Sequence, residues 1–367
     1  MKRKAIPLLL LLACLCMGQT HLPPLAPKYR ATAVYGFGDS TIDSGWFKTA
    51  ISPGVFTGDA AYDALLATAL PSGAGKPTSN PAPMSIEVLA AYFGLGARPA
   101  NQSGTNYAVS GARSRLANGD DPKLFPNAIP TATQIINFIK LHPRADPHAI
   151  YVVSAGNNDV AHAIDLPTDP HCPTLPVACV RTAARDLAAA IVRLHAAGAA
   201  IIIVPNLFES YGAAPKPLYR KAFDVTLAEA LFLAHVTVIA ADMNGLRTAI
   251  VNGHGAFGVH LIKTGDNATS RACTQPAGVA SAWAMLCAPT SPVSTVSPPG
   301  AAAEFLFADD GHFTTVGQRI AGDYFYCLLV KRFANNAPIG NPPWVLEFPT
   351  LPPHLDCAHP SNLPPHL

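Results

Sequence analysis

Tyr35-Gly36-Phe37-Gly38-Asp39-Ser40-Thr41-Ile42-Asp43-Ser44-Gly45 follows directly on an apolar run that reads as a first strand. Ser40 therefore falls where a strand turns into a helix, with its hydroxyl exposed and backbone N–H groups nearby to bind an anion. Asp39 and Asp43 are expected to anchor that turn by accepting backbone N–H bonds, as aspartates do in tight turns. The place suits a nucleophile, but a serine stays inert until a base takes its proton.

The chain supplies a base near its other end. Phe307-Ala308-Asp309-Asp310-Gly311-His312-Phe313-Thr314 sets Asp309 three residues before His312, a spacing at which one turn brings carboxylate and imidazole together. Asp310 is the competing carboxylate. Two segments offer oxyanion donors. Asn106-Tyr107-Ala108-Val109-Ser110-Gly111-Ala112 places Gly111 after a short apolar run, where backbone can approach a ligand closely. Ala155-Gly156-Asn157-Asn158-Asp159 follows the strand-like Ala149-Ile150-Tyr151-Val152-Val153 and puts amide side chains at a strand end.

These four blocks, in this order, resemble the GDSL esterases and lipases, also called SGNH hydrolases, and the resemblance covers most of the chain. It implies that Ser40 is the nucleophile and first oxyanion donor, Gly111 a second backbone donor, Asn158 a side-chain amide donor, His312 the base and Asp309 its carboxylate. It also implies chemistry without metal or cofactor. Two positions depart from the family pattern: Phe313 stands where proline is usual, and Trp46 where asparagine is common. Trp46, Phe47 and Phe313 are expected to shape the substrate pocket, and with Val55 and Phe56 they favour acyl-chain esters.

A chain of 367 residues, 49% hydrophobic and 13% charged, can bury a large core, which excludes a disordered protein. Met1-Lys2-Arg3-Lys4 and the run from Ala5 to Ala13, with leucine at every position from Leu8 to Leu12, have the form of a signal peptide and are too short to span a bilayer. Cleavage after about Gly18 would release a soluble protein. Leu11-Leu12-Ala13-Cys14 leaves open a lipoprotein anchored through Cys14. The expected organisation is a signal peptide over 1–18, a hydrolase domain over 30–335 and a proline-rich extension over 336–367 packed on it. Losing Lys2, Arg3 and Lys4 turns a formal charge of +2 into about −1, a balance that offers nothing to nucleic acid.

Beyond the leader the cysteines are Cys172, Cys179, Cys273, Cys287, Cys327 and Cys357, an even set suited to an oxidising compartment. Proximity in sequence favours Cys172–Cys179 and Cys273–Cys287, which leaves Cys327–Cys357. No pair has the two-to-four-residue spacing of a zinc finger, so no metal is expected.

Along the chain, strand-like and helical patterns alternate. Arg181 to Ala197 carries Leu187, Ile191 and Leu194 at helical spacing; Gly198 stops it, and Ala200-Ile201-Ile202-Ile203-Val204 reads as a buried parallel strand. Leu227 to Ala234 reads as helix, Val236 to Ile239 as strand, and Thr315 to Phe333 as the last helix. The fold class is α/β: a single doubly wound, three-layer domain with a mostly parallel sheet, flavodoxin-like. Thr49 to Pro83, Leu166 to Cys179 and Asp266 to Gly300 read as irregular insertions of the kind that form lids.

Other candidates fail on their surroundings. Val152-Val153-Ser154-Ala155-Gly156 lacks the first glycine of a nucleophile elbow, so Ser154 reads as a strand-end residue. Gly73-Ala74-Gly75-Lys76-Pro77-Thr78 has proline where a phosphate loop needs serine or threonine. His162, His195, His235, His254 and His260 have no carboxylate at useful spacing. The expected protein is an exported, monomeric serine esterase or lipase acting on small-molecule or lipid esters. Acyl transfer and sugar deacetylation stay open on the same site, and a non-catalytic binding protein is the alternative of a different class.

Overall fold

The computed structural model describes residues 30–49, 57–116, 125–165, 175–209, 217–252 and 271–334. Four strands, β1 (Val34–Gly38), β2 (Ile150–Ser154), β3 (Ile201–Pro205) and β4 (Ile239–Ala241), form one parallel sheet in the order β1-β2-β3-β4. β2 and β3 are apolar and buried along their whole length, as parallel strands covered on both faces must be. Val34, Ile150, Val152 and Ile203 face one helical layer, made by α2 (Ser85–Ala91), α7 (Met243–Asn252) and α9 (Thr315–Ala334). Phe37, Tyr151, Val153, Ile202 and Val204 face the other, made by α3 (Thr131–Leu141), α5 (Pro176–Ala196) and α6 (Pro217–Leu233). The result is the three-layer α/β architecture read from the sequence.

The free edge of β1 is covered by an extended segment. Gly36 bridges Asn106 in parallel, the Tyr107 N–H donates to the Gly36 carbonyl at 2.7 Å, and the Val109 N–H donates to the Gly38 carbonyl at 3.0 Å. The chain therefore leaves β1 to one side, through residue 106, and comes back on the other side at β2. Such a reversal opens a crevice at the carboxyl ends of the strands, the usual ligand position in open α/β sheets.

Two expectations are corrected. Thr49 to Pro83 is not irregular throughout: Asp59 accepts from the Ala61 and Tyr62 N–H groups and starts α1 (Ala60–Ala69), which buries Tyr62 and Leu66 against Trp283, Met285 and Leu286. Of the expected strand Val236 to Ile239, only Ile239 is paired, as the first residue of β4. His235 ends α6 at φ +55°, the Val236 N–H is taken by the Leu231 carbonyl, and pairing starts only at Ile239. Val236 and Val238 are buried, so their apolar character reflects packing and not strand pairing. The leader, Val55, Phe56, His254, His260 and the proline-rich tail lie outside the described residues. Among the described residues, no helix is long and apolar enough to cross a membrane.

Candidate active site

Ser40 leaves the end of β1 through a turn with little room for variation. Gly38, at φ +154°, passes so close to β2 that a Cβ there would lie 1.9 Å from the Ser154 carbonyl oxygen. Gln134 of α3 clamps it, accepting from the Gly38 N–H at 2.8 Å and donating to its carbonyl at 2.9 Å. Asp39 is buried, and its Oδ1 accepts from the Thr41 N–H and hydroxyl at 2.9 and 2.7 Å. Burial pushes its carboxyl up to about 6, against the bonds from Thr41 and the charge of His312.

His312 sits on a tight loop between α8 (Ala301–Glu304) and α9, closed by the Ala308 N–H donating to the His312 carbonyl at 2.7 Å. Asp309 caps that loop: its Oδ1 accepts from the Gly311 and His312 N–H groups, each at 2.9 Å. His312 Nδ1 lies 2.8 and 2.9 Å from the two Asp309 oxygens, and Nε2 lies 2.7 Å from Ser40 Oγ. A ring whose Nδ1–H donates to a carboxylate presents a lone pair at Nε2, the atom that faces the hydroxyl. Asp309 Oδ2 also accepts from the Ala284 N–H at 3.0 Å. Burial disfavours both charges, yet attraction and hydrogen bonding between the two win, holding Asp309 below and His312 above their ordinary values. Asp310 pairs instead with Arg271, whose guanidinium lies over the Trp283 ring.

Gly111, at φ +82°, has its added-Cβ position 3.1 Å from the Phe125 N, so a side chain there is strained as well as crowded. Neither the Ser40 N–H nor the Gly111 N–H has an acceptor among the described residues. Asn158 stands in the first turn of α4 (Asn157–Asp165), after β2, and its Nδ2 donates to the Ala112 carbonyl at 2.9 Å, which sets it beside Gly111. Ser40, Gly111 and Asn158 thus follow three adjacent extended segments, β1, the segment through residues 106–109 and β2.

The three aromatic residues expected at the pocket separate. Phe313 lines a cleft beside His312, stacked on Phe208 with ring centroids 4.7 Å apart, together with Ile42, Pro205 and Phe325. Phe47 packs against Phe125 in another cluster and is not among the residues lining that cleft. Trp46 is half-buried on that cluster and does not line the cleft. Phe208 was not legible as a wall residue; its position just past an apolar strand is the one signal that pointed there. Ser154 ends β2 and lies 2.7 Å from the Thr41 hydroxyl. Cys273 and Cys287 form a disulfide. Cys179 and Cys327 are also disulfide-bonded, and their expected partners Cys172 and Cys357 lie outside the described residues. Among the described residues no group of His, Cys, Asp and Glu could hold a metal ion.

A hydroxyl on the Nε2 of a carboxylate-backed imidazole can pass its proton to the ring as it attacks. The Ser40 and Gly111 N–H groups and a carboxamide can hold the oxygen that becomes negative. The sequence matches the family described as GDSL-like Lipase/Acylhydrolase over residues 34–325. No curated protein sequence matches the chain significantly. Among solved structures, it is similar to Axe2, an acetylxylan esterase from Geobacillus stearothermophilus, at 18% identity and a TM-score of 0.32, over 60% of this chain and 82% of that one. A tryptophan-to-isoleucine variant of that enzyme matches over the same shares at 16% identity and a TM-score of 0.32. Likeness at that level carries no argument about this chain's substrate.

Proposed function

Because the chain belongs to the GDSL-like lipase/acylhydrolase family, and is therefore an ester-bond hydrolase, we propose that it is an exported serine esterase working through Ser40, His312 and Asp309. Ser40 Oγ attacks the ester carbonyl while His312 Nε2 takes its proton. The carbonyl oxygen, now negative, accepts from the Ser40 and Gly111 N–H groups and the Asn158 amide. His312 then gives the proton to the departing alcohol, leaving an acyl-serine. Water, deprotonated by His312, releases the acid and restores the serine. The reaction as written uses no metal or cofactor.

The observation that carries this reading is the 2.7 Å approach of Ser40 Oγ to an imidazole backed by Asp309, with the Ser40 and Gly111 N–H groups left without acceptors among the described residues. The cleft beside His312 combines the aromatic rings of Phe208 and Phe313 with the polar side chains of Thr41, Ser154, Asn157 and Asn206, so it suits an ester that carries both apolar and polar groups. The signal-like leader and the disulfides support export, with the hydrolase domain spanning 30–335. The test is hydrolysis of p-nitrophenyl acetate, butyrate and palmitate by the mature protein and by Ser40→Ala. Turnover lost in the variant is expected, and the chain-length profile separates a deacetylase from an esterase or a lipase. Turnover that persists in folded Ser40→Ala would overturn the serine mechanism.

A further inference from the structure

Three donors carried by three separate segments make one oxyanion hole only if those segments are locked together to within about 0.5 Å. Two buried carboxylates, neither of which touches the reacting atoms, span the two junctions. Asp43 lies three residues past Ser40. Its Oδ1 accepts from the Gly45 and Trp46 N–H groups at 2.8 and 2.7 Å, closing the turn after the serine. Its Oδ2 crosses to the neighbouring segment and accepts from the Ser110 N–H at 2.8 Å and the Ser110 hydroxyl at 2.6 Å. Ser110 immediately precedes Gly111.

Asp159 does the same on the other side. It is buried in the first turn of α4, next to Asn158, and its Oδ2 accepts from the Ser114 N–H and hydroxyl, each at 2.8 Å. Arg113 Nε lies 3.5 Å from its other oxygen. Gly111 is thereby bracketed: Ser110 is tied to the serine turn, while Ala112 and Ser114 are tied to the helix that carries Asn158.

We propose that Asp43 and Asp159 are positioning residues for the oxyanion hole, Asp43 setting Gly111 against Ser40 and Asp159 setting it against Asn158. The proposal rests on the reading above. Oxyanion contacts strengthen only in the transition state, so loosening either junction lowers kcat and leaves KM near its original value.

The experiment measures kcat and KM on p-nitrophenyl butyrate for Asp43→Asn, Asp159→Asn, Ser110→Ala and Ser114→Ala, with melting curves. The Asp→Asn variants are expected to lose on the order of 10²-fold in kcat, the cost of about 1 Å of misplacement. The Ser→Ala variants remove one bond to a charged group each and are expected to lose on the order of tenfold. They carry the test if a buried Asp→Asn change prevents folding. A double-mutant cycle supplies what a general loss of structure would not produce. In an Asn158→Ala background the Ser114→Ala loss shrinks to within about twofold, because the donor it aligns is gone, whereas the Ser110→Ala loss persists. Unchanged kcat in the Ser→Ala variants, or a full Ser114→Ala loss on top of Asn158→Ala, overturns the proposal. Turnover that persists in Ser40→Ala overturns the underlying reading instead, so the two failures are distinguishable.

Discussion

His312 and Asp309 move each other's ionisation in opposite directions, and the consequences for activity and stability differ in sign. His312 must be neutral to accept the serine proton, so kcat/KM is expected to rise with pH through an inflection above the ordinary imidazole value of 6.5. Asp309→Asn removes the charge that raises the ring, so its inflection moves down in pH and its kcat falls by up to about 10⁴-fold as the imidazole loses its orienting partner. A pH–rate profile of both proteins checks this, and an inflection that stays in place would rule out the coupling. For stability the order reverses. A folded-state value above the unfolded one means that the His312 contribution is complete below the ordinary value and is lost as pH rises through the folded one. Asp309, held low, contributes above its ordinary value of 3.8 and loses that contribution as pH falls through its folded value. Ser40, His312, Gly111 and Asn158 could be named as candidates from the sequence because each stands in a short motif at a strand end or turn. Asp309 was the carboxylate expected from its spacing to His312 and from the family resemblance, whereas the pairing of Asp310 with Arg271 was not legible, since it depends on where the loop sends the adjacent carboxylate.

Between the residue and the whole chain, the segment from Arg271 to Gly300 shows how an insertion without strands supports the site. Cys273 and Cys287 staple it, the Cys273 N–H donates to the Ala308 carbonyl at 2.9 Å, and the Asn80 N–H donates to the Cys287 carbonyl at 3.2 Å. The stapled turn aims the Ala284 N–H at Asp309. Replacing both cysteines by alanine opens a loop of sequence separation 14 and is expected to cost about 3 kcal/mol. It also lowers kcat, because Asp309 loses a fixed donor. Denaturant titration and a rate measurement at a temperature where the variant is folded separate the two effects. The helical period of Leu187, Ile191 and Leu194 was readable because one face of α5 meets the sheet. α1 was not readable in the same way, since it packs on the insertion instead of the sheet and shows little apolar periodicity; the Asp59 cap was its one local signal.

At the scale of the whole molecule, stability and catalysis are carried by different parts. Leu194 is fully buried on α5, in the layer that covers the sheet face formed by Tyr151 and Val153, and takes no part in the crevice. Leu194→Ala is expected to cost about 2–5 kcal/mol through lost burial and the cavity left behind, with kcat at 25 °C within about twofold of the original. A denaturant midpoint that falls while kcat holds would establish that separation, and a parallel loss of both would refute it. The sequence by itself determined the α/β class, the parallel strands and the residue types of the crevice, because apolar period and turn chemistry are local properties. Only the tertiary structure decided that the chain reverses around β1, that Asp310 turns to Arg271, that Phe313 packs on Phe208 beside His312 while Phe47 packs on Phe125 in another cluster, and that Asp43 and Asp159 bridge the segments carrying Ser40, Gly111 and Asn158. Each of these depends on which distant segments come to lie side by side, and hydrogen bonds between residues 45 or more positions apart leave no periodic trace along a chain.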